Sequence, residues 1–201
     1  MKTFEEHTDY IKKKEYEVVD ELLANPEAFN DISQLGGFAI TAYNRVVDMF
    51  ELDDFASCQQ LVMVGCGPFP MTALHIVKKY PNIKIDALDI DCSAVDTAQK
   101  LIDCLGLNDN IRLYHNNGLT FDYSEASIVY VANLVRPKSA VLQKIHLCCK
   151  SNTLVVLRDP TKTGDIYAES GLSSIDDSFS VEGFGCDDET FHSRHVFLRC
   201  Q

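Results

Sequence analysis

A short apolar run, Leu61-Val62-Met63-Val64, leads into Gly65-Cys66-Gly67-Pro68-Phe69-Pro70. A strand that ends in two glycines and continues into a helix brings backbone close to a ligand, because glycine makes the tight turn without a side chain in the way. The helix start beyond it offers unpaired N–H groups and the positive end of the helix dipole. Either suits a carboxylate or a phosphate. About twenty residues on, where such sites keep an acid, Asp89 closes the next apolar stretch and Asp91 comes after Ile90. A carboxylate there can accept hydrogen bonds from both hydroxyls of a ribose. Glycine turn and acid together point to a nucleoside-bearing ligand.

The residues just past the glycines narrow the choice. A dinucleotide site wants G-x-G-x-x-G/A, but here the later position is Pro70, after Pro68. Two prolines stiffen the turn and crowd a pyrophosphate lying along the helix. S-adenosylmethionine (SAM) has no phosphates and does not need that room, so SAM is the expected ligand. The six histidines and eight cysteines show no zinc spacing and no C-x-x-C pair, and no metal is expected.

These residues must be carried by a regular scaffold. Leu61–Val64, Ile83–Leu88, Ile111–Tyr114, Ser127–Ala132 and Thr153–Leu157 read as strands. Met71–Tyr80, Ala94–Leu105 and a stretch opened by Pro137 at its first helical position read as the intervening helices. Ser93 with Asp96 would cap the second of them. Thr161–Asp177 reads as a loop or short helix, and Phe179–Phe184 and His195–Arg199 as two closing strands. The pattern predicts an α/β fold with a doubly wound, mostly parallel seven-stranded sheet and an antiparallel edge hairpin. Residues 1–55 are helical in pattern, with breaks at Pro26 and Gly36-Gly37 and a helix over 38–52. They are expected to form an N-terminal lid over an α/β domain spanning 56–201.

The chain has 201 residues, 46% of them hydrophobic and 24% charged, which suits one folded domain. Its net charge is −12, and its basic run, Lys12-Lys13-Lys14, reads as a solvated helix face. Phosphate backbones need clustered Lys and Arg, so neither nucleic acid nor an anionic membrane is expected as partner. No apolar run approaches the roughly 18 residues of a membrane span, and the first residues lack the apolar core of a signal peptide. A cytoplasmic protein with free thiols is expected. The sequence gives no indication of oligomeric state.

Val64-Gly65-Cys66-Gly67-Pro68 with Asp89-Ile90-Asp91 resembles the class I SAM-dependent methyltransferase superfamily over about 58–200. Three stretches are similar to its nicotianamine synthase branch: Gly65–Thr72, Asp89–Ala94, and Asp188-Glu189-Thr190 through His195–Arg199. The resemblance implies that Gly65, Gly67 and Pro68 approach the amino-acid half of SAM and that Asp89, with Asp91, holds the ribose. Asn117 would accept from the adenine amine in place of the more usual aspartate. Asn133 would lie where the sulfonium meets its attacker. Tyr167 would line the acceptor pocket, and Tyr43 and Asn44 would reach the sulfonium from the lid, with Glu51 a further candidate. Arg158 and Asp159 either pair with each other or orient an acceptor. For each of these a plainer role in turn, cap or core remains open.

The function this implies is SAM-dependent transfer to a small molecule. Methyl transfer to a small, amine-bearing acceptor is the first expectation. The alternative is nicotianamine synthase-like use of the aminobutanoyl arm, by transfer to an amine or by ring closure, with release of methylthioadenosine. A SAM-binding module without turnover is the third.

Overall fold

The structure, a computed structural model, describes residues 4–31, 35, 37–44, 52–161, 170–185 and 193–201. Helix α1 (Phe4–Ala24) is followed by a 3-10 turn at Pro26–Phe29, α2 (Gly37–Asn44) and the short α3 (Asp53–Ser57). Alternation then begins: β1 (Gln60–Val64), α4 (Met71–Lys79), β2 (Lys84–Asp89), α5 (Cys92–Leu105), β3 (Ile111–His115), β4 (Ile128–Val131), α6 (Lys138–Cys148) and β5 (Leu154–Pro160). A 3-10 turn at Leu172–Ser174 leads to β6 (Phe179–Phe184) and β7 (Ser193–Cys200).

The strands form one sheet in the order β3-β2-β1-β4-β5-β7-β6. Strands β1 to β5 are parallel. Strand β7 inserts antiparallel between β5 and β6. The expected architecture is thus present, with the refinement that the last strand, not the one before it, joins the parallel set. Every residue of β4 and β5 is buried, as strands covered on both faces require.

Alternation still sorts those strands by face. Met63, Ile85, Tyr130, Val156 and Phe197 belong to a core shared with Val19 and Leu22 of α1, Leu74 and Ile76 of α4, and Leu101 of α5. Val62, Val129, Val155 and Leu198 face the opposite way, onto Val141, Leu142 and Ile145 of α6. The described N-terminal helices therefore share the first core with the α/β layer. Helix α4, sandwiched between sheet and N-terminal helices, buries six consecutive residues, Thr72 to Val77.

Several local expectations shift. The start of α5 is capped by Asp91, whose carboxylate accepts from Ser93 N, and not by Ser93 with Asp96. An Asx cap two residues earlier satisfies the same orphan N–H groups. Pro137 precedes α6 as its cap, after a cis Arg136–Pro137 bond, and the helix begins at Lys138. The helix expected over 38–52 is described as α2 ending at Asn44 and α3 beginning at Asp53; 45–51 lie outside the described residues. Strand β5 runs on through Arg158 and Asp159, because β7 pairs along it to Pro160. No helix among the described residues is long and apolar enough to cross a membrane.

Candidate functional site

The glycine turn closes against the strand beside it. Gly65 N and Cys66 N both donate to Leu88 O, at 2.8 and 3.1 Å. Gly65 and Gly67 have φ of +81° and +64°, the left-handed region where a side chain costs energy. Space forbids one as well. A Cβ at Gly65 would stand 2.6 Å from Val135 Cγ2, and one at Gly67 2.7 Å from Glu15 Oε2. Cys66, between them, is buried, and burial pushes its thiol upward, which disfavours the thiolate.

Asp89 ends β2 beside this turn. Its Oδ2 accepts from Gly67 N at 2.8 Å and its Oδ1 from Asp91 N at 3.0 Å. The carboxylate thus clamps the turn and keeps further lone pairs for a ligand. Asp91 does other work. Besides capping α5, it pairs with Lys12 Nζ of α1 at 2.9 Å. Hydrogen bonds from Ser93 and then from Lys12 hold its carboxyl well below the usual range. Both carboxylates line the same cavity.

That cavity has a volume of about 420 Å³, inside the roughly 300–1,000 Å³ usual for small-molecule sites. On one side lies the turn after β3. Tyr123 Oη donates to Gly118 O at 2.7 Å from a buried position and so fixes this turn. Asn117 reaches the cavity, but its Oδ1 already accepts from Leu119 N at 3.0 Å. An adenine amine would have to use the second lone pair of that oxygen.

Helix α1 forms the opposite wall. It supplies Phe4, His7, Ile11, Lys12 and Glu15 to the cavity. Contacts among the described residues that hold it there include Lys12 to Asp91, Tyr16 Oη to Ser93 Oγ at 3.2 Å, and the Arg136 guanidinium 3.3 Å above the Phe4 ring. The Glu15 carboxylate overhangs Gly67.

The floor is built by the carboxyl ends of β4 and β5 and the adjoining start of β7, on the side where open α/β sheets bind ligands. Asn133 lies just past β4. Its backbone O accepts from Lys138 Nζ, while its buried Oδ1 has no partner among the described residues. Arg158 and Ser193 join it in the cavity lining. Arg158 and Asp159 do not pair. As neighbours on a strand they point to opposite faces. Arg158 Nη1 lies 3.5 Å from His195 Nε2, and Asp159 accepts from Ser170 Oγ and Gly171 N.

Gly65, Gly67, Pro68, Asp89, Asp91, Asn117 and Asn133 therefore come together around one cavity. Tyr43 and Asn44 lie in α2, their side chains outside the described residues, as are Glu51 and Tyr167 entirely. Sequence reasoning missed Glu15, Phe4, Arg136 and Ser193, and it took Lys12 for part of a solvated face. A helix rich in Lys and Glu carries no local signal for which of its charges turn inward.

A family model described as nicotianamine synthase protein matches residues 40–186. The L-histidine 2-aminobutanoyltransferase of Pseudomonas aeruginosa is 29% identical over 100 residues, 49% of this chain and 38% of that protein. The chain thus spans well under half the length of this curated relative. Among solved structures, a glutamate-to-glutamine variant of MtNAS in complex with S-adenosylmethionine superposes with a TM-score of 0.76 at 20% identity, covering 96% of this chain and 75% of that one. The mitomycin 7-O-methyltransferase MmcR gives a TM-score of 0.65 at 13% identity, covering 91% and 60%. At these identities the structural matches establish the fold.

Proposed function

The chain belongs to the nicotianamine synthase family, and from that premise we propose that it transfers the aminobutanoyl group of SAM to the amine of a small acceptor and releases methylthioadenosine. Family membership carries this reading over the methyl transfer that the sequence put first. The relative from Pseudomonas, named for aminobutanoyl transfer to L-histidine, supports an amino acid as the acceptor class. The net charge of −12 supports a small molecule over a phosphate backbone.

The residues present fit such a donor. Gly67 brings bare backbone to the cavity beside the Glu15 carboxylate, Asp89 keeps acceptor capacity, and Asn133 Oδ1 is buried without a described partner. When bound, SAM supplies a sulfonium whose attached carbons are electrophilic. Attack on the terminal carbon of the aminobutanoyl arm forms a C–N bond and breaks the C–S bond, whose electron pair goes to sulfur.

The chain positions the partners and manages charge. Gly65 and Gly67 admit the amino-acid half close to backbone, and Asp89 receives the ribose. Asn117 stands by the adenine. Asn133 Oδ1 accepts an N–H from the attacking amine. Glu15, over Gly67, is the site's carboxylate on the α1 wall. It accepts a hydrogen bond from the nitrogen as positive charge moves there from sulfur, and it receives the proton released afterwards. Helix α1 screens the reaction from water as a lid, held by Lys12–Asp91.

Product identity tests the proposal. Incubation with SAM and a pool of amino acids should yield methylthioadenosine above the spontaneous rate. Glu15→Gln should lower kcat by about 10²-fold or more with little change in SAM affinity. Stoichiometric adenosylhomocysteine would replace the reading with methyl transfer.

A further inference from the structure

Strand pairing sets up a polar group on the face beneath the N-terminal helices. Arg158 of β5 stands opposite His195 of β7, and Pro160 opposite Ser193. Residues directly opposite in an antiparallel pair share a face, so Arg158, His195 and Ser193 point the same way. Tyr130 joins them, since it pairs with Val156, two residues before Arg158, and its ring lies 5.9 Å from that of His195.

Arg158 is 4% exposed and Ser193 1%, yet both line the cavity. A guanidinium is a cation that presents a planar fork matched to a carboxylate. Ser193 Oγ, like Asn133 Oδ1, is buried with no hydrogen-bond partner among the described residues. Polar atoms in that state are normally satisfied by something. A cationic fork, a hydroxyl donor and an amide acceptor lining one cavity match the two ends of one chemical group, a carboxylate with a nearby amine.

We propose that Arg158 and Ser193 form the subsite that reads the acceptor's carboxylate, with Asn133 Oδ1 receiving its amine, so that the enzyme discriminates amino acids from simple amines. The inference rests on the aminobutanoyl-transfer reading for the identity of its second ligand. The donor also carries a carboxylate. Its amino-acid half, however, is expected at the glycine turn after β1, and β4 separates β1 from β5 in the sheet.

Calorimetry separates the two sources. The 201-residue chain is saturated with S-adenosylhomocysteine, which fills the donor positions, carboxylate included, and lacks the reactive sulfonium. It is then titrated with each proteinogenic amino acid and with its decarboxylated amine, L-histidine against histamine being one pair. At least one amino acid should bind roughly tenfold or more tighter than its amine. Arg158→Gln should abolish that preference. Ser193→Ala should reduce it several-fold, and it keeps the fold intact because the hydroxyl it removes has no described partner. Adenosylhomocysteine affinity should be unchanged in both variants. The proposal is overturned if no amino acid binds, if amines bind as well, or if Arg158→Gln weakens adenosylhomocysteine tenfold, which would assign the guanidinium to the donor. Because this titration needs no turnover, failure of aminobutanoyl transfer and failure of the subsite are read separately.

Discussion

Replacing Asp89 by asparagine isolates the double duty of that carboxylate. A carboxylate offers about four acceptor positions. Two are engaged, by Gly67 N at 2.8 Å and Asp91 N at 3.0 Å, which leaves two for the ribose hydroxyls. Asparagine keeps the shape but has one acceptor oxygen. Whichever way its amide turns, the NH₂ group faces a backbone N–H. Leaving that half-buried donor unsatisfied should cost about 1–3 kcal/mol of stability, read by urea unfolding without ligand. The lost charged acceptor for the ribose should cost a further ~1.5–3 kcal/mol of binding, roughly a 10- to 150-fold rise in Kd for SAM by calorimetry. If stability falls while Kd stays within about twofold, Asp89 is a brace for the turn and the ribose assignment is wrong. If neither moves, the two backbone hydrogen bonds contribute nothing and the clamp itself is refuted.

Two other perturbations probe the scaffold. His75 is buried in α4 against Phe29, and burial, with Lys78 second, pushes its imidazole down to about 4. The unfolded chain takes up this proton first, so the stabilising contribution is full above the ordinary value near 6.5 and is lost as pH falls from there toward 4. Between pH 7 and 5 urea unfolding should register a loss of about 2 kcal/mol that His75→Phe removes; an unchanged pH slope in the variant would show that another group is responsible. Gly65→Ala should cost about 1–2 kcal/mol for the left-handed backbone and about 1–3 kcal/mol for crowding Val135 Cγ2. A loss below roughly 1 kcal/mol would mean that the turn relaxes freely.

The features legible in the sequence are those that short windows encode. Short runs of β-branched and aromatic residues such as Ile128–Val131 read as buried strands from their length and composition. The glycine turn and Asp89 were legible for the same reason: each sits at the junction of two periodic segments, and φ above zero demands glycine locally. Even so, a near neighbour misled, for Asp91 caps α5 where Ser93 was expected, since cap choice depends on where the preceding strand releases the chain.

The rest of the site was decided by tertiary structure. Lys12 meets Asp91 across 79 residues. Glu15 overhangs Gly67 only because α1 crosses the carboxyl ends of the strands with that face inward. Arg158 and Ser193 share a cavity because β7 inserts antiparallel beside β5 in a register that pairs Pro160 with Ser193, and a slip of one residue would send both Ser193 and His195 to the other face. The sequence by itself determined the elements and the donor-side turn, because propensity, alternation and glycine conformation act over a few residues. Which charges and hydroxyls of distant elements meet around the ligand was decided by helix crossing and strand register, which no local window contains.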